Sequence, residues 1–148
     1  MKKIEAHRKL LGVTKDAALS ELKSVYRNMI KDWHPDKFQD DQEARSVAET
    51  KSKTIIEAYH LLVSIAPETI AATAEQYNQT ISLAGIEDFE YKNEKLSIDF
   101  SDGSSYEYFG VPKSIYIKFV NAPSQARFAR RHICNSFVYR SVNKLVAA

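Results

Sequence analysis

Residues 19–38 read LSELKSVYRNMIKDWHPDKF, and this stretch decides how the first half of the chain is read. Leu22, Val25, Tyr26, Met29, Ile30 and Trp33 recur at the i, i+3, i+4, i+7 spacing that lines one face of an α-helix over residues 19–33. Ser20 is expected to cap its start, with Glu21 in the first turn. Pro35 ends it, because proline disfavours helical geometry in the residue before it. On the other side of the loop, Ala44, Val47, Ala48, Ile55, Ala58, Tyr59 and Leu62 repeat the helical period over residues 41–63. A short helix before Gly12 carries Ile4, Leu10 and Leu11. Two antiparallel helices with a short one laid across them make a sound small bundle.

Past residue 67 the pattern changes. Pro67 opens an alanine-rich, helix-like stretch read as a connector between two halves. After Ser82 the period drops to two: Phe89 and Tyr91, then Leu96, Ile98 and Phe100, then Tyr106 and Tyr108 alternate with polar residues. Lys92-Asn93-Glu94 and Ser101-Asp102-Gly103-Ser104 supply the turns. Pro112 fits the first position of a helix through Val120, and Ser124 fits the cap of another through Arg131. The expected fold is an all-α bundle over residues 1–66, a helical connector over 67–80, and a small α+β domain over 81–148. In that last domain two helices cover one face of a three-stranded antiparallel meander.

Composition narrows the function. The 148 residues are 44% apolar and carry 21 basic against 19 acidic side chains, which does not resemble a disordered tail. The longest apolar run is Leu145 to Ala148, far from the ~20 residues that span a bilayer. After Met1-Lys2-Lys3 the charged residues Glu5, Arg8 and Lys9 leave no apolar stretch to act as a signal peptide. The chain is therefore expected to be soluble and cytoplasmic, with no membrane partner. The single cysteine, Cys134, excludes an internal disulfide framework and cysteine-paired zinc fingers. His34 and Asp36 lack a third ligand at metal-binding spacing and a nearby nucleophile, so no metal, cofactor or catalytic residue is expected.

Charge is unevenly spread. Residues 68–107 hold nine acids against Lys92 and Lys95, whereas from Tyr108 onward there are seven bases and no acid. An acidic stretch packed on a basic one is the plain reading. Nucleic-acid binding by Lys113, Lys118, Arg127, Arg130 and Arg131, interleaved with aromatics, is the alternative. In the first half, Lys23, Arg27 and Lys31 recur at i, i+4, i+8 and form a positive stripe beside the apolar face.

His34-Pro35-Asp36, with Leu11-Gly12-Val13 before it, Tyr26-Arg27 one helical face back, Lys37 after it, and Ala58-Tyr59 and Leu62 beyond, resembles the J domain of the DnaJ co-chaperone family over about residues 4–65. That resemblance implies binding to a DnaK-type heat-shock-70 chaperone and stimulation of its ATP hydrolysis. It places the essential loop at His34, Pro35 and Asp36 and the docking face at Lys23, Tyr26, Arg27 and Lys37. The chain itself would not be an enzyme. Arg8, where the family often has an aromatic, and Asn28, where it often has a base, depart from the pattern. Asp32, Asp40 and Asp41 dilute the positive potential near the loop. Nothing in the sequence resembles the glycine-rich, zinc-binding or client-binding segments of the longest family members.

Leu96-Ser97-Ile98-Asp99-Phe100, Tyr106-Glu107-Tyr108-Phe109-Gly110-Val111-Pro112 and Ala122-Pro123-Ser124 resemble a short domain read as KTSR, after Lys-Thr-Ser-Arg, over about residues 80–142. Its fusion to some lysyl-tRNA synthetases implies RNA as an alternative partner. In the first reading this domain selects an unknown client or a location.

Overall fold

A computed structural model describes residues 2–142, and the chain divides into two compact units between residues 69 and 70. The first unit is helical: α1 (Lys2–Leu11), α2 (Leu19–Trp33), a short 3-10 turn (Pro35–Phe38) and α3 (Gln42–Ile65). The helix α4 (Pro67–Leu83) begins in this unit and continues into the second.

Local chemistry sets these boundaries. Helix α1 stops at Gly12, which takes a φ of 70°. The amides of Gly12 and Val13 return to the carbonyls of Lys9 (3.2 Å) and Arg8 (3.1 Å), a glycine-closed Schellman end. Helix α2 starts one residue before the expected cap. Ala18, not Ser20, holds the N-cap position and offers no side-chain acceptor. Glu68 Oε1 fills that role from a distance, accepting the Leu19 amide at 2.9 Å. Helix α3 is capped by Asp41, whose Oδ1 accepts the amides of Glu43 (3.0 Å) and Ala44 (3.1 Å).

The core of this unit is Ile4, Leu11, Ala17, Leu22, Ala48, Ile55, Ala58, Leu61, Leu62 and Ile65. Val47, expected on the apolar face of α3, is 56% exposed, and Ser52 is buried in the adjoining phase. Tyr59 is half-buried and stacks on Tyr26, with ring centroids 4.1 Å apart. Arg8 lies against the edge of the core beside Val13, Leu22, Leu62 and Ile65, its guanidinium paired with Glu5 at 2.9 Å. Its aliphatic stem covers apolar surface there.

The second unit has a four-stranded antiparallel sheet in the order β1-β2-β3-β4, formed by β1 (Ile86–Lys92), β2 (Lys95–Phe100), β3 (Ser105–Phe109) and β4 (Val138–Ser141). The expected meander is its first three strands. The fourth pairs with β3 in the register Tyr108↔Tyr139 and Phe109↔Val138. The β1–β2 hairpin closes on Asn93 and Glu94, both at positive φ (52° and 61°), the backbone of a two-residue hairpin turn. Helices α5 (Lys113–Val120) and α6 (Gln125–His132) contribute Phe119 and Ala129 to the core. Pro112 sits at the N-cap of α5 rather than inside its first turn. Ser124 caps α6 as expected, accepting the Arg127 amide at 3.3 Å.

Helix α4 also enters this core. Tyr77 is 2% exposed, and its hydroxyl donates to the Cys134 carbonyl (2.6 Å) while meeting the Tyr108 hydroxyl at 3.0 Å. Its ring stacks on Tyr139 at 3.8 Å. Glu107 receives Lys95 (2.9 Å) and Arg140 (2.6 Å), so at least one ion pair joins the acidic and basic stretches. Burial alone would raise the Glu107 carboxyl, but those two cations outweigh it and hold the group below its usual range.

Trp33 is the sole tryptophan and lies in the first unit, so its fluorescence reports that unit selectively. Ile55→Ala, which empties a fully buried site, should cost about 2–5 kcal/mol in denaturant titrations followed at Trp33. Val47→Ala should stay within about 0.5 kcal/mol, and a reversed order would place α3 in the wrong phase.

Acid should weaken the same unit. His7 Nε2 is buried without a hydrogen-bond partner. Burial lowers the His7 pKa from 6.5, with Glu57 opposing and Lys3 reinforcing the shift. Because the folded state then binds the proton less readily than the unfolded chain, stability is full above the usual value and falls as pH drops below it. Thermal melts at Trp33 should show a lower midpoint at pH 5 than at pH 7, and His7→Phe should flatten that difference. An equal slope in the variant would assign it to other groups.

Candidate functional site

The loop between α2 and α3 is built from both ends. The last carbonyls of a helix lack intrahelical partners. One of them, on Trp33, accepts the buried Ser52 hydroxyl of α3 at 2.9 Å. The Trp33 ring stacks on Phe38 at the far end of the 3-10 turn (6.5 Å), and Lys51 Nζ lies 5.9 Å from the Trp33 ring centre. His34, Pro35 and Asp36 are held between these anchors, with the side chains of His34 and Asp36 53% and 73% exposed. The turn is closed by the Lys37 amide on the His34 carbonyl (3.0 Å), and His34 Nδ1 accepts the Asp36 amide at 3.2 Å.

Tyr26, Arg27, Ile30, Lys31, His34, Asp36 and Lys37 line one shallow, open depression. The structure thus gathers six of the candidate residues, Pro35 joining them through the loop. Lys23, the seventh, is exposed one turn back on α2, in line with Arg27 and Lys31. Ile30 and Lys31 lie outside the docking face that the resemblance implied. Ile30 has the spacing of a core residue but is only half-buried, and its remaining surface forms part of the depression. The chemistry on offer is recognition: four cations in the stripe and turn, one carboxylate, one imidazole and a small apolar floor. Among the described residues no cluster of His, Cys, Asp or Glu has the geometry to hold a metal ion.

The basic candidates of the second unit divide. Lys113, Lys118, Arg127 and Arg131 are exposed on α5 and α6. Arg130 instead closes the C-terminus of α4, its Nε donating to the Ile81 carbonyl (2.8 Å) and its guanidinium reaching the Ser82 carbonyl (3.3 Å). Its role is visible in the fold, as the cation expected at a helix C-terminus. Among the described residues no single helix is long and apolar enough to cross a membrane.

Two known domain families match the chain. Residues 7–68 match the DnaJ domain model, and residues 84–137 match the model described as the KTSC domain. The name KTSC replaces KTSR, and with it goes the reading of that name as Lys-Thr-Ser-Arg. A chaperone protein DnaJ from Mesomycoplasma hyopneumoniae is 47% identical over 55 residues, covering 36% of this chain and 15% of the relative. A DnaJ protein homolog from Saccharomyces cerevisiae is 45% identical over 53 residues, covering 36% of this chain and 11% of the relative. A chaperone protein DnaJ from Hydrogenobacter thermophilus is 42% identical over 59 residues, covering 40% and 15%. The chain spans only 11% to 15% of the length of these relatives. It carries a DnaJ domain followed by a KTSC domain.

Ser52→Ala should cost about 1 kcal/mol by deleting the hydrogen bond to Trp33, measured by denaturant titration at Trp33. It should also speed exchange of the amides in residues 34–38. Unchanged exchange would mean that Ser52 does not hold the loop.

Proposed function

We propose that this protein is a co-chaperone that binds a DnaK-type chaperone through the α2 stripe and the His34-Pro35-Asp36 loop and promotes its ATP hydrolysis in the cytoplasm. The observation that carries the reading is the exposed loop, pinned at both ends and set beside Lys23, Arg27 and Lys31 within a DnaJ domain. The chain needs no chemistry of its own. It would act by contacting one nucleotide state of the chaperone better than the other, which shifts the partner toward hydrolysis. The cations set encounter rate and orientation, because exposed charges act at a distance and are screened by salt. The KTSC domain then serves as the client-selecting or targeting module.

A second reading rests on Lys113, Lys118, Arg127 and Arg131, exposed in a region where residues 108–148 hold no acid. It makes the chain an RNA-binding protein with the DnaJ domain as an accessory. Affinity for single-stranded RNA that is present at ~50 mM salt and falls steeply as salt rises would favour it.

The test is chaperone ATPase activity with and without this protein. Wild type should raise the rate, and His34→Gln should abolish the increase while leaving the helical circular dichroism intact. The double variant Lys23→Gln/Arg27→Gln should need about tenfold more protein for half-maximal stimulation at low salt, and about threefold more at ~300 mM. No stimulation by wild type, or full stimulation by His34→Gln, would overturn the co-chaperone reading.

A further inference from the structure

The His34 ring has its two nitrogens in different environments, and this fixes what the loop can offer a partner. Pro35 carries no amide hydrogen, so the Asp36 N–H is the first donor of the 3-10 turn in need of an acceptor. His34 Nδ1 supplies it at 3.2 Å. A ring nitrogen accepts only while it bears no proton, so the ring in this arrangement is neutral and its proton sits on Nε2. The Asp36 carboxylate lies 3.4 Å from the same Nδ1, but a bare nitrogen cannot donate to it. That carboxylate therefore stays available at the surface, and the ring's remaining polar group is one N–H donor. The charged groups around the ring in this depression are Arg27 and Lys31 from α2 and Asp36 and Lys37 from the turn.

We infer that His34 works as a capped donor: Nδ1 is committed to the Asp36 backbone, which orients Nε2–H toward a hydrogen-bond acceptor, a carboxylate or a backbone carbonyl, on the chaperone. This rests on the co-chaperone reading and adds the chemistry of the partner group. It also explains why a histidine serves where asparagine, aspartate or serine would cap as well, since none of those caps while holding a second, outward donor on one rigid ring.

Asparagine and glutamine substitutions separate the two roles. In His34→Asn the new Oδ1 stands near the position of Nδ1 and can take the Asp36 amide, but no donor remains at the Nε2 position. In His34→Gln a donor reaches the outer position from a flexible stem, and the cap is lost. Two measurements use the full chain alone. Long-range proton–nitrogen spectra at pH 8 should show the His34 proton on Nε2, and the Asp36 amide should exchange about fivefold faster in His34→Gln than in wild type or His34→Asn. Chaperone stimulation should drop at least tenfold in both variants. A proton on Nδ1, equal Asp36 exchange in wild type and His34→Gln, or stimulation retained by either variant would overturn the inference. Wild type that fails to stimulate would sink the co-chaperone reading, while the spectra and the exchange rates would still decide how the ring is held.

Discussion

Proline at position 35 cannot extend helix α2, and the chain must reverse there with the final carbonyls of that helix facing a core it has just left. The Ser52 hydroxyl on α3 meets the Trp33 carbonyl at the point of reversal. That junction fixes the start of the loop between α2 and α3. It lies at one end of the α2–α3 contact, along which Tyr26 stacks on Tyr59, while Lys23, Arg27 and Lys31 stay exposed on α2. It also leaves the side chains of His34 and Asp36 largely exposed, where another molecule can reach them.

The second unit solves a different problem, that of covering a small sheet with short helices. Aromatic rings carry most of that work. Tyr77 from α4 stacks on Tyr139, Phe89 meets Phe119 edge-to-face at 5.0 Å, and Tyr91 stacks on Tyr116 at 4.2 Å. Large rings with buried hydroxyls need partners, and the Tyr77–Tyr108–Cys134 group supplies them inside the core. Burial pushes the Tyr77, Tyr108 and Cys134 groups up, away from ionisation. Cys134 is thereby a packing residue.

Periodicity made the helices and three strands legible, because each presents one apolar face over several repeats. The loop was legible through the family resemblance that it carries together with Tyr26, Arg27 and Lys37. Other features depend on partners far along the chain. The amide of Leu19 is satisfied by Glu68, so nothing near Ser20 could announce where α2 begins. Strand β4 is only four residues long, too short for alternation to stand out, and Tyr139 shows its inward face only once Tyr77 is in place. Arg130 reads as one more base in a basic stretch until the end of α4 arrives beside it. Ile30 has core spacing, and only the folded unit shows that its remaining surface lines the depression beside His34.

In the proposed reading the DnaJ domain recruits a chaperone and the KTSC domain serves as the client-selecting or targeting module. The most direct measurement is the proton–nitrogen spectrum of the isotopically labelled full chain, titrated with an unlabelled DnaK-type chaperone in the presence of ATP. Selective shifts or broadening are expected at Lys23, Arg27, Ile30, Lys31 and the amides of 34 and 36–37, with residues 84–137 little changed. Perturbation confined to residues 84–137, with the loop and the α2 stripe unmoved, would contradict docking through the DnaJ domain.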